Sequence, residues 1–120
     1  MILVDTSVWI DHWRAGNQVL ADLLLEEQIV CHPFVIGEVA CGRSRRRAQI
    51  LSLMKNLGQT PAVTHDEALA FIDAQGLVGS GLGWIDIHLL ASAAVAGEQL
   101  WTRDTRLGRA AGRLGIDFRG

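Results

Sequence analysis

The sequence predicts an α/β fold, a three-layer α/β/α arrangement around a short central parallel sheet. Short apolar runs without polar alternation are typical of parallel strands that are covered on both faces. These runs alternate with longer segments of helical periodicity, as expected for such a layered fold. The 120 residues contain 49% hydrophobic and 20% charged positions, which indicates a compact protein rather than a disordered chain. We expect residues 1–120 to form a single domain.

The N-terminal region begins with the apolar run Ile-Leu-Val at residues 2–4, which predicts a buried first strand. Residues 6–7, Thr-Ser, offer an N-cap for a helix over 8–14. Asn17 is a cap candidate for the next helix, which the apolar spacing places from residue 19 to about residue 27.

A second strand is predicted over residues 29–31, and Pro33 suits the first turn of the helix that carries residues 34–40. An amphipathic pattern predicts a helix over 45–57, with Gly58 as its stop signal. The same signals predict the remaining elements: a strand over 61–63, helices over 65–72, 84–96 and 103–114, a strand over 99–102 and an edge strand over 116–118.

The charge pattern is uneven although the formal net charge is only −2. Ten of the eleven basic residues are arginines, and nine of these lie in two clusters, at 43–47 and 103–119. The overall balance argues against a uniformly basic nucleic-acid-binding surface, but the clusters predict local basic patches.

Membrane, secreted and zinc-dependent classes are not favoured. The apolar stretch at 89–97 is too short to span a bilayer, and no basic region precedes the first apolar residues as in a secretory signal. Cys31 and Cys41 make a poor disulfide framework and lack zinc-ligand spacing. We expect both to be buried, reduced thiols in a cytoplasmic protein.

Four carboxylates occupy positions that favour a functional site. Asp5 follows the first strand and Asp104 follows the last central one, so both should lie at the same edge of a parallel sheet. Glu38 and Asp86 each lie in an apolar helix. Each acid also has a structural explanation, because Asp5 and Asp104 can cap helices and Asp86 can favour a helix N-terminus. Glu38 is the hardest to explain in this way, because so apolar a helix should be buried nearly all round.

Clustered carboxylates resist joint ionisation, and a hard divalent cation removes that conflict. Mg²⁺ or Mn²⁺ binds oxygen ligands and retains waters, so a few carboxylates suffice. Such an ion can activate water and stabilise phosphoryl charge. Together with arginine clusters that can hold a phosphate backbone, the acids indicate cleavage of a phosphodiester.

The residues that carry these features resemble the PIN-domain family, and most closely its VapC-type toxins. The resemblance rests on the N-terminal Val-Asp-Thr-Ser-Val-Trp-Ile at 4–10, on Glu38 followed by Gly42, on Asp86-Ile87 opening an alanine-rich helix, and on Thr102-Arg103-Asp104. It covers essentially the whole chain. It implies a metal-dependent endoribonuclease of a toxin–antitoxin pair, which leaves a 5′-phosphate and a 3′-hydroxyl.

Carried over by position, the resemblance implies an acidic catalytic quartet of Asp5, Glu38, Asp86 and Asp104. Asp5, Asp86 and Asp104 would bind Mg²⁺ or Mn²⁺ directly or through water, and Glu38 would help to position metal or water. Ser7 and Thr102 match polar positions that orient these ligands.

The resemblance also implies two partners, an RNA substrate and a cognate antitoxin, with assembly as a homodimer or a toxin–antitoxin hetero-oligomer. The arginine positions that we consider for RNA are Arg43, Arg45, Arg103, Arg106, Arg109 and Arg113, of which the last four should share one face of the final helix. A solvated surface is the alternative for each cluster, and the cluster at 43–47 could also contact an acidic partner. Trp9 and Trp13, one helical turn apart, are better explained by packing, although the family's antitoxin groove gives them a second possible use.

Two other functions remain open from the sequence. A PIN-like module could bind RNA or protein without cutting, but it would have no evident reason to keep four acids. An aspartyl-phosphate enzyme needs paired acids at the first strand and a nearby lysine, whereas the only lysine is Lys55.

Overall fold

A computed structural model describes residues 1–120. Its four-stranded sheet has the order β3-β2-β1-β4, with every neighbouring pair parallel. The strands are β1 (Ile2–Val4), β2 (Ile29–Cys31), β3 (Gly58–Gln59) and β4 (Gln99–Trp101). The predicted three-layer α/β/α arrangement with a parallel sheet is confirmed.

Seven helices connect and cover the strands: α1 (Thr6–Ala15), α2 (Gln18–Leu25), α3 (Pro33–Cys41), α4 (Arg47–Asn56), α5 (His65–Ala74), α6 (Trp84–Ala96) and α7 (Thr105–Arg113). The longest of them, α6, has 13 residues. None of the seven has the length and apolar character that a membrane crossing requires.

The core is one cluster centred on β1 and α6. All three residues of β1 are buried, and so are seven consecutive residues of α6, from Ile87 to Ala93. The middle of α6 is therefore surrounded by protein on all sides, and its buried residues are apolar except His88 and Ser92. Strand β1 is central in the sheet, so the positions that follow it are held by packing from both layers.

The third strand differs from the prediction. It is formed by Gly58 and Gln59, which pair with Val30 and Cys31, and residues 61–63 form no strand. Pro61 has no backbone N–H to contribute to a ladder. Gly58 permits the close approach, since a Cβ there would lie 3.3 Å from Cγ1 of Val30.

The C-terminal edge strand predicted over 116–118 is reduced to a single parallel bridge between Leu100 and Asp117. Phe118 donates its N–H to the carbonyl of Leu100 at 2.9 Å, and Leu100 donates to the carbonyl of Ile116 at 2.8 Å. These two bonds still hold the C-terminal segment against the outer edge of β4.

Two side-chain predictions are also wrong. Cys31 is buried, and burial raises the pKa of its thiol to about 12, but Cys41 is exposed at the end of α3. Helix α1 is capped by Asp5, whose Oδ1 accepts a hydrogen bond from the N–H of Thr6, so Thr6 and Ser7 lie inside the helix rather than before it.

Candidate active site

Strands β1 and β4 bring the first and last acids to the same edge of the sheet. Val4 pairs with Trp101, and Asp5 donates its N–H to the carbonyl of Trp101 at 2.9 Å. Asp5 and Thr102 therefore leave two adjacent parallel strands side by side, although 97 positions separate them in the sequence.

Hydroxyl groups fix the orientation of Asp5. Its Oδ2 accepts a hydrogen bond from Oγ1 of Thr102 at 2.6 Å and a second from Oγ of Ser7 at 2.9 Å. The Thr102 oxygen also accepts the N–H of Asp104 at 3.0 Å, and the Ser7 oxygen accepts the N–H of Arg103 at 3.0 Å. Both hydroxyls thus tie the start of α1 to the segment that precedes α7. The structure places Ser7 and Thr102 where they can orient the acids.

Asp104 and Asp86 each use one carboxylate oxygen to hold the backbone. Oδ1 of Asp104 accepts the N–H of Leu107 at 2.9 Å, which caps α7 and moves its start from the predicted residue 103 to Thr105. Oδ2 of Asp86 accepts the N–H of Gly83 at 3.1 Å. Asp104 and Asp86 therefore do stabilise the first turns of their helices, as considered from the sequence. Each uses only one carboxylate oxygen to do so.

Glu38 is exposed, which corrects the expectation that α3 is buried nearly all round, since only Val35 of that helix is fully buried. Oε1 of Glu38 accepts a hydrogen bond from Oγ1 of Thr6 at 2.9 Å. Because Thr6 follows Asp5, this contact links Glu38 to the segment that carries Asp5. The sequence predicts for Thr6 only a capping role, and its contact with Glu38, 32 positions away, depends on how α1 and α3 pack.

The acids interact through their charges. Burial raises the pKa of Asp86, and the negative charges of Asp5 and Asp104 raise it further, while the hydrogen bond from Gly83 lowers it. No arginine or lysine forms a salt bridge with any of the four acids, because the two salt bridges of the chain join Arg103 to Asp11 and Arg119 to Asp117. Asp5, Asp86 and Asp104 therefore form a group of carboxylates without salt-bridge partners at the carboxyl edge of the sheet, whereas Glu38 shares a groove with Arg43.

The available oxygens suit a hydrated hard cation better than an enclosed metal cage. Oδ1 of Asp86, Oδ2 of Asp104 and Oε2 of Glu38 accept no hydrogen bond from the protein. However, no three His, Cys, Asp or Glu side chains are grouped so that they alone could hold a metal ion. Mg²⁺ is commonly bound through one or two carboxylates and several waters, and this donor set fits that mode.

The four arginines that were predicted to share one face of the final helix differ in their contacts. Arg103 lies outside α7 and forms an ion pair with Asp11 of α1 at 2.8 Å, a long-range contact that the sequence analysis missed. Arg106 donates from Nη1 to the carbonyl of Gly81 at 3.4 Å. Arg109 and Arg113 form no ion pair or side-chain hydrogen bond within the chain, so their guanidinium groups remain available.

A groove of about 350 Å³ lies between α1, α3 and the start of α4, next to Glu38. Trp13 and Ile10 supply apolar lining, and Arg43 is among its basic residues. Arg45 lines an adjoining groove that also contains Trp13. Trp9 stacks on Trp13 with 5.5 Å between the ring centroids, and Trp9 itself is fully buried. Packing therefore explains Trp9, whereas Trp13 also faces the groove.

The chain matches the PIN domain family over residues 2–113. It is 50% identical over 117 residues to Ribonuclease VapC32 of Mycobacterium tuberculosis, in strains CDC 1551 and H37Rv, and the match covers 97% of this chain and 94% of that protein. Among solved structures, FitAcB from Neisseria gonorrhoeae is similar with a TM-score of 0.64 at 19% identity, covering 93% of this chain and 94% of that one. PAE2754 from Pyrobaculum aerophilum gives a TM-score of 0.60 at 18% identity, covering 95% and 88% of the two chains. These two similarities concern the fold, whereas the sequence matches show that the chain belongs to the PIN-domain family and, within it, to the VapC-type group.

Proposed function

We propose that this protein is a Mg²⁺- or Mn²⁺-dependent endoribonuclease that acts in the cytoplasm as the toxin of a toxin–antitoxin pair. The observation that carries the proposal is the acidic edge formed by Asp5, Glu38, Asp86 and Asp104, none of which has a salt-bridge partner. The relative that shares half of its residues is named a ribonuclease, which supports RNA as the substrate.

The metal would be held by Asp5, Asp86 and Asp104, with waters completing its coordination. When bound, the ion would supply charge stabilisation at a phosphoryl oxygen and favour deprotonation of water. The pattern of free oxygens on Asp86 and Asp104 supports this assignment. Ser7 and Thr102 would keep the Asp5 carboxylate in one orientation, so that it need not reorganise during the reaction.

Glu38 would orient the attacking water and accept its proton through the oxygen that Thr6 leaves free. The water oxygen forms a bond to phosphorus as the bond to the 3′-oxygen breaks, and a proton from solvent completes the 3′-hydroxyl. The products are a 5′-phosphate and a 3′-hydroxyl. Glu38 is suited to this task because it is exposed and can reach a solvent molecule at the edge of the acidic cluster.

The cognate antitoxin would occupy the groove that contains Trp13 and Glu38. The groove combines an aromatic side chain with arginines, including Arg43, which suits a protein segment that carries both apolar and acidic residues. Arg45, Arg103 and Arg106 remain candidates for RNA contacts, although Arg103 would first have to leave Asp11. A second copy of the chain or the antitoxin would complete the assembly.

The test is cleavage of total RNA by the purified protein, with mapping of the new 5′ ends. We expect cleavage with Mg²⁺ or Mn²⁺, none in EDTA, and none by D5N or D86N under either metal. Asp73→Asn is the matched control, since Asp73 is an exposed residue of α5 with no salt bridge or side-chain hydrogen bond.

Two outcomes would contradict the proposal. Cleavage that persists in both D5N and D86N would show that these carboxylates do not perform the reaction. RNA binding that survives in EDTA, without any product when metal is added, would favour the alternative of a PIN-like binding module. Circular dichroism of each variant separates loss of chemistry from loss of fold.

A further inference from the structure

Apart from the grooves that contain Trp13, a separate groove of about 670 Å³ runs between α7 and the C-terminal residues 117–119. We call it the α7 groove. Thr102 contributes to its lining, and the hydroxyl of Thr102 donates to Asp5 at 2.6 Å. The methyl group of Thr102 faces Gly108 on the groove side, so Thr102 lies between the groove and Asp5, and one end of the groove is next to the acidic edge.

The α7 groove carries an excess of positive charge. Arg109, Arg113 and Arg119 line it, and Asp117 is the one carboxylate that does so. Arg119 donates from Nε to Asp117 at 2.9 Å, which leaves Arg109 and Arg113 without an intramolecular partner. Two guanidinium groups without an acidic partner favour binding of an anion in the groove itself.

The shape of the groove suits a linear backbone rather than a bulky group. Gly108 and Gly112 both line it, four residues apart, so this side of α7 presents bare helix backbone. Arg109 and Arg113 are also four residues apart, which places their Cβ atoms about 6 Å from each other. Both side chains therefore start from neighbouring positions on one helix face, so that each guanidinium group can contact one of two successive phosphates.

From charge, shape and position we propose that the α7 groove binds two consecutive phosphates of an unpaired RNA strand next to the phosphate that is cut. This inference rests on the proposed function and extends it. Recognition is by backbone charge, so it does not depend on base sequence. A single strand is favoured because α7 bounds the groove on one side and residues 117–119 bound it on the other.

The experiment measures binding of a short, random-sequence, single-stranded oligoribonucleotide by fluorescence anisotropy in EDTA, across about 50 to 200 mM salt. We expect R109Q and R113Q each to weaken binding and to reduce the slope of log Kobs against log salt by about 0.7. Lys55→Gln removes one charge from an exposed position in the last turn of α4, and we expect it to leave the slope unchanged. With Mg²⁺ present, R113Q should raise KM for cleavage and leave kcat unchanged.

A further variant tests the shape of the groove without changing its charge. Gly112→Leu fills the groove, and a Cβ at this position makes only ordinary contact, 3.8 Å from the nearest atom of Asp117. We expect weaker RNA binding with an unchanged or higher melting temperature, because leucine favours helix more than glycine does.

The outcomes separate this inference from the proposed function. Wild-type slopes and KM in both R109Q and R113Q would overturn the groove as an RNA site while cleavage by the wild type stands. Equal losses in K55Q would show that total charge, not the groove, attracts RNA. Equal affinity of an RNA duplex would overturn the choice of an unpaired strand. If the wild type neither binds nor cuts RNA, both proposals fail.

Discussion

The Thr102 hydroxyl offers a sensitive test of how the acidic edge is built. Thr102→Val keeps the shape of the side chain and removes the oxygen that donates to Asp5 at 2.6 Å and accepts the N–H of Asp104 at 3.0 Å. A hydrogen bond to a charged group contributes about 1.5–3 kcal/mol. The exposed N–H of Asp104 can form a hydrogen bond with water instead. The main effect of the substitution is therefore that the Asp5 carboxylate is held less firmly in its orientation.

We therefore expect T102V to need about 10–100-fold more Mg²⁺ for half-maximal RNA cleavage, the range found when groups that orient metal ligands are removed. Thr102→Ser retains the hydroxyl and serves as the matched control. The assay is a Mg²⁺ titration of the cleavage rate of one labelled RNA. Superimposable curves for T102V and T102S would refute the role of this hydroxyl.

Three further predictions concern the pH dependence and stability of the fold. Burial, with a contribution from the charge of His88, lowers the pKa of His32 to about 4 from its usual 6.5, so the unfolded chain binds more protons between these values. Stability should therefore fall by about 3 kcal/mol as pH decreases from 6.5 to 4, and His32→Asn, which can still cap α3 at the N–H of Phe34, should abolish this component in urea unfolding. In the metal-free protein, D104N should lower the pKa of Asp86 by removing one of the charges that raise it, as followed by NMR titration of the carboxyl carbon. Gly37→Ala, on an open helical position, should raise the free energy of unfolding by about 0.5–1 kcal/mol, whereas Gly97→Ala, at a φ of 69°, should lower it by about 1 kcal/mol or more.

Each of these predictions has a clear contrary result. If the free energy of unfolding fell by the same amount from pH 6.5 to 4 in the wild type and in H32N, His32 would not be desolvated in the folded state. If the pKa of Asp86 were the same in D104N and in the wild type, the charge of Asp104 would not act on Asp86. Equal effects of alanine at Gly37 and Gly97 would contradict the backbone conformations described for them.

The parts of the molecule that the sequence predicts well depend on local signals. The apolar run of β1 is followed at once by Asp5, and parallel strand topology is enough to bring that residue next to the end of β4. Caps such as Asn17, whose side chain accepts the N–H of Leu20 at 3.0 Å, are likewise encoded within one helical turn.

The parts that could not be predicted depend on distant contacts. Arg103 has the same spacing as the α7 arginines in the sequence, but Asp104 caps α7 after it and an ion pair with the distant Asp11 holds its side chain. Glu38 lies among apolar residues, but its exposure is set by how α3 packs on its neighbours and not by the composition of α3. Strand β3 has two residues and no apolar pattern, so its position follows from pairing with β2.

The sheet order has a consequence for the order in which the protein becomes active during synthesis. Asp5 is translated 97 positions before Thr102, so the strand that lies beside β1 on that side, together with Thr102 and Asp104, is made much later than Asp5. Until then one edge of β1 is open, and the first carboxylate has neither its hydroxyl donor nor its neighbouring acid. A nascent or truncated chain that stops before β4 therefore carries Asp5, Glu38 and Asp86 without the contacts that orient Asp5, and under the proposed function we predict that it does not cleave RNA until β4 and Asp104 are in place.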